Sequence, residues 1–427
     1  MTEEFISYLW THQYFSKDQL CTSDGKPLRI LFPGIRNHHQ GPDFLHARLI
    51  LDQMEWFGNI EIHIRASDWE KHHRGDERYN STILHVVWEE NQIIQRADES
   101  VLPCLSLRSR TDSALLEQCQ QLRVSPEIPA CRPHWPGVES IYWSQMMERC
   151  AVERLEQKSQ QIQSKLQEHA SWDELLWHLV ARAIMRQVNA LPMEQLLHSL
   201  PYKLLYKYRH RTSQLEALLL GHAGLLAAPV HSAYACFLAK EYEYLSALHQ
   251  LPAAMRQSQW NFLRTRPSNF PSLRLVQLAR ILPTLEDVRS VLEDNQRLET
   301  IGTLLAPQAS SINMDPYHFL GLEKCSLQIG QDTLHTLYIN ALVPWLVARS
   351  QFLNIPSLAD QALDLLSQLP PESNKITRSY ASPYIPITNA LDTQGIIWLH
   401  NQYCQGKKCL SCRIGNKILN GKMATPV

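Results

Sequence analysis

Three polar side chains interrupt two apolar runs near the start of the chain. In GPDFLHARLILDQMEWFGNIEIHI, residues 41–64, Asp43 follows a proline at the head of one run, and Glu61 and His63 stand one residue apart in the next. Neighbouring carboxylates attract Mg²⁺ or Mn²⁺, because hard cations take oxygen ligands, and a metal so held activates water at a phosphodiester. Asp43 and Glu61 are therefore the expected ligands. Asp43, Glu61 and His63 are the expected catalytic set, with His63 polarising water or contacting phosphate. Imidazole is only partly charged near neutral pH, so His63 can instead ligate a softer metal or serve as general base. The competing reading makes Glu61 and His63 the wet face of an amphipathic strand, with Asp43 out of coordination reach.

Other histidines surround this stretch: His38, His39, His46, His72, His73 and His85. His85, inside the apolar run ILHVVW, reads as a core histidine with its hydrogen bonds satisfied. His72 and His73 fall on a turn and are expected in solvent unless a site folds over them. If His46, His72 or His73 joined His63 around one cavity, a hydrolase of small molecules would be the reading.

A second constellation closes the chain. HNQYCQGKKCLSCRIG, residues 400–415, brings His400, Cys404, Cys409 and Cys412 together in sequence. Three thiolates with His400 can hold zinc, or the cysteines can supply three ligands of an iron–sulfur cluster that needs one more. Lys407 and Lys408 make this end basic, which suits DNA or RNA. Arg264 and Arg266, in WNFLRTRPSNFPSLRLVQLARIL ahead of a helix start, suit a phosphate in the same way. The alternative there is an apolar helix whose arginines, Arg274 and Arg280 included, pair with acids of neighbouring helices.

The elements that must position these residues follow from patterning. Residues 2–14 read as a helix with Thr2 as N-cap, and DGKP at 24–27 as a turn. LRILFPG, FLHARLILD, NIEIHIRA and TILHVVWEE read as strands, with a short helix from Ser67 or Asp68 and an edge strand near 101–109. From about residue 140 the pattern is helical, including a capping box from Ser171 to Glu174. The expected fold class is α+β: an N-terminal mixed β-sheet with flanking helices, a large all-helical domain, and a short Cys-rich tail. The expected domains are 1–135, 136–370 and 371–427. With 427 residues and 44% hydrophobic composition the chain can bury large cores, while a net charge of −1 gives no global field for nucleic acid. An acidic start and no long apolar run predict a cytoplasmic protein with no membrane segment.

Two resemblances bear on function. GPD before one strand and EIH inside the next resemble the PD-(D/E)xK nuclease superfamily. The resemblance implies a restriction-endonuclease-like core, Asp43 and Glu61 as its metal-binding acids, His63 where lysine belongs, and Glu3 or Glu4 as an extra acid. The cysteines resemble, with altered spacing, the C-terminal loop of helix-hairpin-helix glycosylases and the trio of some iron–sulfur nucleases. Across nearly the whole chain, GPDF, GNIEIHIRASDW, ILHVV, RPSNFPSLRLVQLA, NALVPWLVA and CQGKKCLSCRIG resemble a bacterial family of unknown function, DUF2851, which implies no activity. The expectation is a divergent metal-dependent nuclease or nuclease-like nucleic-acid binder. The alternative is a non-catalytic helical scaffold that binds a protein partner.

Overall fold

A computed structural model describes residues 1–37, 39–166, 171–226, 233–262, 269–294, 298–305 and 327–420. The chain folds as two compact units, one of residues 1–146 with 399–427, the other of residues 147–398. The division falls inside one helix, α4 (Ser140–Leu166), which follows α3 (Ser113–Val124) in the chain.

The first unit is built on a mixed sheet of β1 (Leu28–Phe32), β2 (Ile35–Arg36), β3 (Phe44–Leu51), β4 (Met54–Arg65), β5 (Thr82–Glu89) and β6 (Cys104–Ser106). Its order is β1-β3-β4-β5-β6, with β2 also on β3. The chain first makes antiparallel pairs, β1 and β2 with β3, then β3 with β4. It then crosses over, so that β4, β5 and β6 run parallel. The crossover carries the short helix α2 (Asp68–His72), preceded in the chain by α1 (Glu3–His12). Phe5, Ile6, Leu9 and Trp10 of α1 are buried, and this helix packs on β4 and β5.

Burial explains why these runs chose strand geometry. In β3, Phe44, Ala47, Leu49 and Leu51 are inward while His46 and Arg48 are exposed, the alternation of a one-sided antiparallel strand. The inner ends of β4 and β5 are buried on both faces, as parallel strands under a helical cover should be. The four predicted strand runs are all present, and β6 lies on the edge directly after Pro103. The two-residue β2 is too short to show a period, and patterning does not reveal it.

The second unit is helical. Its core is contiguous and includes Trp177, Leu218, Leu275, Trp345 and Leu346. Helix α5 (Trp172–Ile184) starts where the capping pattern places it, the Ser171 side chain accepting the Glu174 N–H at 3.2 Å. Together the units make the α+β architecture expected from the sequence. Among the described residues, no helix is long and apolar enough to cross a membrane.

Candidate metal centre

Glu61 and His63 point to the same side of β4 because side chains alternate along a strand. Parallel pairing puts Glu61 opposite His85 of β5, so His85 joins them on that side. The face is not wet. Glu61 is 5% exposed, His63 3% and His85 0%, so the expectation of a solvated strand face fails. The cover comes from the β4–β5 crossover: Trp69 of α2 meets the rings of His63 and His85 edge-on, and His73 follows α2 directly. Tyr79, also buried, stacks on His73 with ring centroids 3.8 Å apart.

Three potential ligands converge under this cover. One carboxylate oxygen of Glu61 and one ring nitrogen each of His63 and His73 lie within 4.8 Å of one another. Among the described residues no other three His, Cys, Asp or Glu side chains meet that closely. Glu61 Oε1 is 2.8 Å from His73 Nε2, and Glu61 Oε2 accepts the backbone N–H of Asp43 at 3.0 Å. The Asp43 carboxylate stands beside the group and outside it, Oδ2 accepting the N–H of Ile62 at 3.0 Å. Two reciprocal bonds therefore pin the start of β3 to β4.

The electrostatics suit a cation. Burial pushes His63 down to about 3, with the fields of His73 and His72 adding to it, and burial lowers His85 well below its ordinary value. Both rings are neutral at physiological pH, the form in which imidazole binds metals. Burial, and next the charge of Glu61, raise Asp43 to about 7, against the opposing bond from Ile62. Glu3 of α1 is raised too, by burial first, and it feels His72, Asp68, Glu61 and His73. Of the two acids at the helix start, Glu3 is thus the one within reach of the site.

One contact couples the protons of the two rings. His63 Nδ1 lies 2.9 Å from His85 Nε2. When His63 Nδ1–H donates, its Nε2 keeps a lone pair for a metal, with His85 Nε2 as the acceptor that holds the ring. His85 then carries its proton on Nδ1, which is buried and meets no partner among the described residues. His85 is a core histidine as expected, but its hydrogen bonds are not all satisfied. One member of the constellation escapes sequence reasoning. His73 is expected in solvent unless a site folds over it, and here one does, joining it to His63 as one alternative requires; nothing short of the β4–β5 register ties His85 to His63.

The remaining sequence candidates fare differently. His46 is exposed, and His72, though exposed, stacks on His63 at 5.9 Å between centroids. His400, Cys404, Cys409 and Cys412 do not close into a compact ligand group. Cys404 ends a π-helical turn, Leu399–Cys404, and Cys409 begins a 3-10 turn, Cys409–Ser411, so the backbone changes course between them. Burial raises Cys409 to about 11 and Cys131 to about 12, and both thiols feel Cys412. Cys131 feels Cys409 and Cys412, and Cys409 feels Cys119, so two thiols distant in sequence share the surroundings of the tail, which spacing does not reveal. None of the described cysteines is in a disulfide. Lys407 Nζ donates to the Ser125 carbonyl, whereas Lys408 is exposed. Arg264 and Arg266 lie outside the described residues. Arg280 faces Glu216 at 3.6 Å, as the pairing alternative expects, whereas their neighbour Arg274 is buried on the neutral side chains of Gln277, Asn269 and Thr333 rather than on an acid.

A buried site of one carboxylate and two imidazoles on a mixed sheet, in a chain with a large helical body, defines an α+β protein with a metal-capable centre. The chain belongs to the family described as protein of unknown function DUF2851, whose profile matches residues 3–375. That span contains Glu61, His63 and His73 and ends before the cysteine-rich tail. No curated protein and no solved structure matches the chain.

Proposed function

We propose that Glu61, His63 and His73 bind one divalent transition metal in a nuclease-like enzyme that hydrolyses phosphodiesters. The observation that carries this is the convergence of three ligand atoms within 4.8 Å under a cover of aromatic rings. One carboxylate and two neutral imidazoles fit Zn²⁺, Mn²⁺ or Fe²⁺ better than Mg²⁺, which prefers oxygen throughout. When bound, such a metal supplies Lewis acidity and lowers the pKa of water. The chain's own residues do the rest. Glu61 and the two rings bind, and His85 orients His63. Asp43, with Oδ2 held by Ile62, offers Oδ1 to take a proton. Support for the phosphodiester class comes from the order helix, antiparallel strands, crossover helix, parallel strand, with Asp43 opening β3 and Glu61 in β4.

For the tail, the reading is zinc or an iron–sulfur cluster on Cys404, Cys409 and Cys412 with His400 or Cys131 as the further ligand, which requires these groups to draw closer than they stand in the structure. Lys408 beside it is the residue offered to DNA or RNA.

Metal analysis of the full chain, purified with and without air, tests both sites, followed by melting with Zn²⁺, Mn²⁺ and Mg²⁺ and by cleavage assays on DNA and RNA. We expect stoichiometric metal or a stabilising Zn²⁺ or Mn²⁺ shift that His73→Ala and Glu61→Gln remove, with cleavage reduced at least about 100-fold in both. Iron or zinc lost in Cys409→Ser supports the tail. Metal retained by His73→Ala and Glu61→Gln sinks the centre. Metal bound without any cleavage sinks the nuclease and leaves a structural ion.

A further inference from the structure

The second unit contains a cavity of about 630 Å³ that the sequence motifs do not indicate. Arg154, Lys158 and Lys165 line it from one stripe of α4, and Arg182 from α5 with Arg186 just beyond that helix line it from another side. Glu372 is the one carboxylate among its described lining residues. Glu194 pairs with Arg182 at 2.9 Å and with Lys165 at 3.8 Å, which neutralises part of this charge and leaves a positive surplus. Like charges concentrated in a low-dielectric cleft repel one another, so the arrangement costs stability unless a counter-ion relieves it.

Two backbone irregularities meet at the same cavity. Asn340 lines it from a π-helical turn, Tyr338–Leu342, and such turns cost regular helical bonding and concentrate at functional sites. Arg186 has φ 56° and ψ −179°, a conformation that a residue with a side chain rarely adopts. Lys158, also in the lining, meets the first of these features, its Nζ donating to Asn340 Oδ1 at 3.1 Å. Burial first, then the field of Arg154, push its pKa down to about 7, with Glu372 opposing and Arg182 adding to the repulsion. Arg154 is held in place by its Nε bond to Gln394 Oε1, 2.7 Å.

We infer that this cavity binds a small, multiply charged phosphoanion such as a diphosphate group. The volume falls within the range of small-ligand pockets, roughly 300–1,000 Å³. Guanidinium forks and ammonium groups arriving from two helices suit several oxyanion oxygens at once. No aromatic side chain is among the described lining residues, so the cavity offers no platform on which a base could stack, and recognition rests on charge. This site is independent of the metal centre and stands or falls separately.

The test is titration of the full chain with inorganic pyrophosphate, in EDTA, against monophosphate and against NaCl at matched ionic strength, read by calorimetry and by melting. Pyrophosphate should bind with a stabilising shift that monophosphate gives only weakly. Arg182→Gln, at a partly exposed position, should fold normally and lose at least tenfold in affinity, and Lys158→Met should abolish binding while melting no lower than the parent. Glu61→Gln should bind pyrophosphate as the parent does. A shift no greater than that of matched NaCl overturns the inference, as does binding undiminished in both cavity variants.

Discussion

At the scale of single residues, the division of labour between His63 and His85 decides whether the centre is a metal site or a buried polar cluster. His85 is fully buried, bonds to His63 among the candidate ligands, and leaves Nδ1 without a partner among the described residues. An unsatisfied buried polar atom costs stability. A contribution to folding is thus a poor explanation for a histidine here. Orientation of His63 is the better one, since a metal-ligating imidazole usually donates its second N–H to a fixed acceptor. His85→Leu removes the orphaned Nδ1 of His85 but orphans the buried Nδ1–H of His63 in exchange, so the fold should lose about the net value of one hydrogen bond, roughly 1 kcal/mol. Affinity for Zn²⁺ or Mn²⁺ should fall roughly 10- to 100-fold. Competition against a chelating dye measures this, and unchanged affinity would mean that His63 needs no help from β5.

At the scale of elements, the crossover between β4 and β5 does the positioning. At Gly58 β4 comes close to the chain entering β5: a Cβ built there would lie 2.4 Å from Ile83 Cγ2 and 2.5 Å from the Ser81 carbonyl oxygen. Gly58→Ala should therefore force the strands apart, at a cost of about 1–3 kcal/mol in a urea titration. It should also weaken metal binding, because the register partners Glu61 and His85 lie just downstream of that approach. The strands themselves are legible in the sequence, since β-rich runs separated by turn residues mark them without tertiary information. The pairing of Glu61 with His63 is legible for the same reason, through period-two alternation. Their burial is not, because alternation looks the same under solvent as under Trp69 and Tyr79. His73 is hidden in a turn, and only the fold of that turn over the sheet brings it toward Glu61. In the tail, residue spacing points to His400 and Cys404, whereas the folded chain sets Cys131 near Cys409 and Cys412. Local spacing cannot report a partner brought in by tertiary structure.

At the scale of the whole molecule, charge limits how nucleic acid can be held. The chain carries a net charge of −1 with a sequence pI near 7.0, so no long-range field draws in a polyanion. The tail, basic in sequence, also has part of its charge engaged. Lys407 bonds the Ser125 carbonyl and Lys417 pairs with Glu139 at 3.0 Å, which among the described residues of the tail leaves Lys408 and Arg413 exposed. If DNA binds along this end, it meets these two exposed cations. Each phosphate neutralised contributes about −0.9 to the slope of log affinity against log salt for duplex DNA. The expected slope is then close to about −2, a loss of only about tenfold between roughly 50 and 200 mM salt. Fluorescence anisotropy with a short duplex over that range gives the slope directly, and Lys408→Ala should bring it near about −1. A slope of about −5 or steeper would place the nucleic acid on a different and larger basic surface, and the tail would lose its claim to the contact.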